Sequence, residues 1–230
     1  MTLLFAAVLE LVLAASASAE GSGVEEVIAL EQAGQDAAAL ALAESLSQTP
    51  PASAVAHLEA ARLGLKLGAP TPSIERHLQA ARGLAPDNPR LRYLSAQVKE
   101  GQGDEAGARA LYLEAVSLRS GYTEARTRLV AIGIRSQDWA LAETQLKALL
   151  SAGERSVGRR LQLARVLEEA AKPAEGEAVL VKLHHEDSSN AAVTSALEDF
   201  YARHGRTKDL QALRRAEPAK KLRPLQPSRR

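Results

Sequence analysis

Apolar positions recur along most of the chain at steps of three and four, the spacing of one face of an α-helix. Val179, Leu180 and Leu183 form one such face, and Leu161, Leu163, Val166 and Leu167 form another. Helix-breaking residues fall between these runs and not within them: Gly34, Pro50-Pro51, Gly68 to Pro72, Pro86 to Pro89, Gly101 to Gly103, Gly121, Gly153 and Gly205. Asp87-Asn88-Pro89 reads as a cap followed by proline in the first helical turn. No segment alternates apolar and polar residues as a half-buried strand does. The pattern predicts an all-α chain of short helices.

The runs also repeat. Ala108, Ala142 and Gly176 are spaced by 34 residues, as are Tyr112, Leu146 and Leu180, then Ala115, Leu149 and Leu183, and upstream Val98, Ile132 and Val166. One unit is a residue longer, with extra turn residues at Gly68 to Pro72. Six helical hairpins are expected at about 24–47, 53–85, 88–118, 122–151, 155–184 and 190–216. A lone hairpin cannot bury both its apolar faces, whereas stacked hairpins share them with their neighbours. Small residues (Ala108, Ala142, Gly176) let paired helices approach, and larger ones (Tyr112, Leu146, Leu180) fill the space beside them.

The 34-residue period, the small–x₃–large–x₂–small order of the second helix and the Ala85-Pro86-Asp87-Asn88-Pro89 ending resemble tetratricopeptide repeats over roughly residues 22–216. The family's aromatic residue at its fourth position is absent, and Ala96, Val130 and Ala164 replace its glycine at the eighth. The resemblance implies a right-handed α-solenoid of helix-turn-helix repeats that binds a peptide or partner helix in a concave groove lined by each first helix. By repeat position the implied groove residues are Arg90, Tyr93 and Gln97, then Thr127, Ala131 and Arg135, then Leu161 and Arg165, then Ser195 and Asp199. Tyr93 offers a flat apolar contact, and Arg90, Arg135 and Arg165 are candidates for holding carboxylates. Chaperone-binding members clamp a terminal carboxylate with Lys and Asn. Here the matching pairs are Tyr93/Gln97, Thr127/Ala131 and Leu161/Arg165, which disfavours that partner class. Arg92, Arg126 and Arg160, again 34 apart, read either as an anion-binding ladder or as stems covering the seams between hairpins and pairing with nearby glutamates.

Composition narrows the chemistry. Apolar residues make up 46% of the 230, enough for a core, while aromatics are only 3%. Cysteine is absent, which excludes disulfides, thiolate-held metals, a thiol nucleophile and a lipidated N-terminal cysteine. The net charge is +1 but unevenly placed. Residues 203–230 hold ten Lys/Arg against Asp209 and Glu217, a net of +8, so the rest of the chain carries −7. The tail from 217, with Pro218, Pro224 and Pro227, is expected to be disordered. Contact with an anionic membrane surface and simple solvation both remain open for it. Without aromatics, nucleic-acid stacking is not supported.

At the other end, Leu3 to Ala15 is mostly apolar and is followed by Ala17-Ser18-Ala19, the small-residue pattern of a signal-peptidase site. Glu10 interrupts the run and no Lys or Arg precedes it. A cleaved signal, a retained anchor and an ordinary first helix all remain open. Export to the periplasm or envelope is the leading expectation, and a cytoplasmic location the alternative.

Enzyme-like fragments lack their context. Gly101-Gln102-Gly103-Asp104-Glu105-Ala106 matches G-x-G-x-x-A but follows a helical run and not a strand. His184 and His185 are adjacent, hence on different helix faces, and neither H-x₃-H nor H-E-x-x-H occurs. No G-x-S-x-G is present. The expectation is a non-enzymatic scaffold without metal or cofactor.

Overall fold

The computed structural model describes residues 23–154 and 156–216. The leader and the basic tail discussed above therefore lie outside the described residues. Among those described, every regular element is helical. The helices are α1 (23–32), α2 (Asp36–Gln48), α3 (Ala54–Leu67), α4 (Thr71–Leu84), α5 (Pro89–Gly101), α6 (Glu105–Leu118), α7 (Thr123–Arg135), α8 (Trp139–Ser151), α9 (Val157–Glu169), α10 (Pro173–Glu186), α11 (Ala191–Arg203) and α12 (Thr207–Ala216).

Local chemistry sets their starts. The side chains of Ser53, Asn88, Asp104, Asp138, Ser156 and Asn190 each accept a hydrogen bond from a free N–H of the first turn of the helix that follows. Proline stands in the first turn of α4, α5 and α10, where its missing N–H costs nothing.

The turns inside the hairpins repeat in conformation more strictly than in sequence. Residues 34, 68, 103, 137, 171 and 205 all adopt positive φ, at steps of 34 or 35. Four are glycine, but two are Gln137 (φ 58°) and Ala171 (φ 59°). The turns are alike in hydrogen bonding too. Lys172 N–H bonds to Leu167 C=O at 2.8 Å after Ala171, as Arg206 N–H bonds to Tyr201 C=O at 2.9 Å after Gly205.

The chain falls into two compact units, one reaching Ile132 and the other starting at Gly133. In the first, α3 packs on α4, α5 on α6, and α3 also reaches α5, so first helices of successive hairpins meet. Its core joins Leu58, Ile74, Leu78, Leu91, Leu94 and Val98, with a second cluster of Val27, Ala39, Ala43, Ala60 and Leu63. In the second, α9 packs on α10 and also reaches α11, around Ala164, Leu180, Leu197, Phe200, Tyr201 and Leu213. The positions expected to be small are buried, and one could not be larger: a Cβ on Gly176 would lie 2.8 Å from the Ala164 carbonyl oxygen on α9.

Candidate partner-binding cleft

Three of the residues expected to line a groove come together. Arg90, Tyr93 and Gln97 recur along α5 at helical spacing, and all three border a cleft of about 1030 Å³ within the first unit. The other walls are Arg62, Leu65 and Lys66 of α3, Arg119 and Tyr122 before α7, and Glu124 and Arg128 of α7. First helices thus supply most of the lining.

Aromatic rings form its floor. Tyr93 is half-buried, with its ring centroid 5.6 Å from that of Tyr112 and 5.2 Å from that of Tyr122. Three of the four tyrosines therefore meet here. Tyr112, the large residue of its repeat position, is wholly buried and donates its hydroxyl to Glu100 at 2.8 Å. Burial, reinforced by Glu124 and Tyr93, pushes the Tyr122 hydroxyl up to about 12. Burial and the bond to Glu100 push Tyr112 up as well. Both stay neutral phenols at physiological pH. The Tyr93 hydroxyl accepts from Gln97 at 3.4 Å and also hydrogen-bonds Arg128.

The cations around the floor are already engaged. Arg62 makes a two-pronged bond to Glu31 at 2.8 and 2.6 Å and a third bond to Glu59 at 2.9 Å. Arg90 meets the other oxygen of Glu59 at 2.7 Å, and Lys66 bridges Glu31 and Asp36. A chain of alternating charge therefore runs from α1 through α3 to α5. Bonds from Arg62 and Lys66 hold the Glu31 carboxyl at about 2. Burial would raise Glu59, but Arg90 and Arg62 more than reverse that and leave it lowered. Arg119 lies over the Tyr122 ring, 5.4 Å from its centroid.

The remaining expected groove residues are placed otherwise. Thr127 is half-buried and does not line the cleft; its neighbour Arg128 does. Arg135, Leu161 and Arg165 lie in the second unit. There Leu161 packs against the Leu197–Tyr201 cluster, and Arg165 pairs with Glu169 at 2.6 Å. Arg135 is exposed on the last turn of α7. The arginine ladder is occupied: Arg92 pairs with Glu114 at 2.8 Å, Arg126 donates to the Ser120 carbonyl at 2.9 and 2.7 Å, and Arg160 pairs with Glu186. Sequence reasoning missed Tyr122 and Arg128. Tyr122 stands in the turn before α7, outside the repeating helix pattern, and its one available signal was the rarity of tyrosine in this chain. The G-x-G-x-x-A segment links two helices, with Asp104 capping α6. Among the described residues no group of three or more His, Asp or Glu side chains is placed to hold a metal ion, and no helix is long and apolar enough to cross a membrane.

No family model matches the chain, and no curated protein sequence does either. Solved structures do. A structure of Naa15/Naa10 bound to HypK-THB superposes with a TM-score of 0.65 at 14% identity, covering 86% of this chain. The chain spans only 31% of that much longer one. A tetratricopeptide repeat protein from Parabacteroides merdae gives a TM-score of 0.60 at 16% identity, over 85% of this chain and 77% of the other. Pseudomonas aeruginosa PilF gives 0.64 at 15% identity, over 85% and 89%. The chain has the tetratricopeptide-repeat fold, an all-α solenoid of helical repeats.

Proposed function

We propose that this protein is a non-enzymatic scaffold that receives a peptide or partner helix in the α3–α5–α7 cleft. The observation that carries this reading is the half-buried Tyr93 ring, set between Tyr112 and Tyr122 at the base of an open, mainly first-helix surface. The bonded state of Arg62, Lys66 and Arg90 favours an apolar or aromatic anchor over a carboxylate, because a carboxylate ligand would have to displace Glu31 or Glu59 first. In support of a protein partner, a structural neighbour of the same fold carries HypK in its complex.

The setting we propose is assembly of bacterial cell-envelope or surface machinery, with the apolar Leu3–Ala15 run and Ala17-Ser18-Ala19 as the export signal. A cytoplasmic adaptor of the same fold is the second reading, favoured by Glu10 and the missing basic residue before the run. N-terminal sequencing of the mature protein separates them, since Glu20 at the start supports export and a retained Met1 in the cytosol refutes it. The cleft is tested by a photo-crosslinking residue at Gln97, with Leu113 on the exposed side of α6 as control. Crosslinks to a polypeptide from position 97 but not 113 support the assignment; equal or no yield at 97 contradicts it.

A further inference from the structure

Away from the cleft, α3 and α4 are joined by two imidazoles. His57 Nδ1 and His77 Nδ1 lie 3.1 Å apart, with ring centroids 5.4 Å apart. His77 is 5% exposed, whereas His57 is half-buried. The His77 Nε2 atom is buried with no hydrogen-bond partner. An Nδ1–Nδ1 contact at this distance needs one proton between the two nitrogens, so one ring donates and the other accepts. The burial pattern decides which. If His77 donates, its partnerless Nε2 is a bare lone pair and His57 keeps its Nε2–H at the wetter side. If His57 donates, His77 must bury an N–H with no acceptor, the costlier arrangement.

We propose that the His57–His77 contact is an acid-sensitive joint, closed when the pair holds two protons and opened when further protons arrive, loosening the α3–α4 hairpin. A third proton places a charge in a dry site and an N–H on the partnerless His77 Nε2. A fourth sets two Nδ1–H groups against each other and breaks the contact. The charged groups facing the pair are few. Glu44 on α2 favours protonation of His77, and Arg76 on α4 opposes it. On α3 the neighbouring Glu59 is turned away to Arg62 and to Arg90 of α5. Burial, the chief cause at both rings, holds them below the usual histidine range, consistent with a neutral pair near pH 7. The linkage follows: the stabilisation is complete above the ordinary histidine value and is lost as pH falls below it.

The test uses the full chain with isotopically labelled histidine. Nitrogen shifts at pH 7.5 are expected to show His77 protonated on Nδ1 and His57 on Nε2, with both rings titrating below the ordinary histidine value. Amide exchange, corrected for its intrinsic pH dependence, is expected to report α3–α4 opening at least about tenfold more frequent at pH 5.0 than at 7.5. The reference is α5–α6, which contains no histidine. His77→Met is expected to abolish that difference, and His77→Gln, which keeps a hydrogen-bonding group opposite His57 without a titratable ring, gives the same reading should the first variant not fold. Ordinary titration of both rings, α3–α4 opening that tracks α5–α6 at both pH values, or an acid response that persists in the variant would overturn the proposal.

Discussion

Helices α5 and α9 occupy the same place in their repeats yet stand in different surroundings. Tyr93 on α5 and Leu161 on α9 stand 68 residues apart, two full periods, and both are half-buried. Tyr93 faces an open cleft and meets two other tyrosine rings. Leu161 packs against the core cluster that includes Leu180, Leu197 and Tyr201. Four residues on, Gln97 bonds Tyr93, whereas Arg165 is closed off by Glu169. A repeat position therefore fixes where a side chain points along the helix. Whether it meets an open cleft or a packed neighbour depends on residues that do not repeat. Packing is exacting at one place and tolerant at the other: α5–α6 accepts Ala108 where α9–α10 requires Gly176.

That contrast can be broken most forcefully at Gly176. Gly176→Ala sets a methyl 2.8 Å from the Ala164 carbonyl, so a loss of roughly 2 kcal/mol is expected in urea unfolding. Ala108→Gly in α6 should cost only about 1 kcal/mol, mostly helix propensity. Similar losses would mean the two hairpins are packed alike. Next comes Leu161→Ala, which is expected to destabilise by about 2 kcal/mol because it empties part of the Leu197–Tyr201 cluster.

Smaller effects sharpen the account of the turns. Ala171 pays the left-handed backbone penalty that glycine avoids at 34, 68, 103 and 205. Ala171→Gly is therefore expected to raise stability by about 0.5–1 kcal/mol, less than the full penalty because glycine also loosens the unfolded chain. A destabilised variant in thermal or urea unfolding would show that the turn at 171 is unstrained. The charge chain of α1–α3–α5 gives the last prediction. Glu31 and Glu59 are held below the ordinary carboxylate value, so their contribution is complete above about 4.5 and is lost as pH falls through their lowered values, about 2 for Glu31. The wild type is expected to lose more stability than Glu31→Gln between pH 5 and 3, and parallel pH curves would contradict the linkage.

The helices were legible from sequence because breakers and caps, such as Pro86-Asp87-Asn88-Pro89, act locally and leave a local trace. The turns at Gln137 and Ala171 left none. There the register of the flanking helices, held by packing of buried residues such as Leu167 and Leu183, imposes a conformation that the residue itself disfavours. The site was half legible. Arg90, Tyr93 and Gln97 follow from the repeat, but the engagement of Arg90 with Glu59 joins α3 to α5 and depends on no sequence spacing. Tyr122 reaches the cleft from a turn, where helical periodicity has no say.

The central claim is that recognition resides on α5 while its repeat equivalent on α9 is structural. It is tested most directly by calorimetric titration of the polypeptide identified by crosslinking, against wild type, Tyr93→Ala and Leu161→Ala. Tyr93→Ala is expected to weaken binding of the folded protein at least about tenfold, and Leu161→Ala to lower the unfolding midpoint while leaving affinity within about twofold. Unchanged affinity in Tyr93→Ala, or an equal loss in both variants, would contradict it.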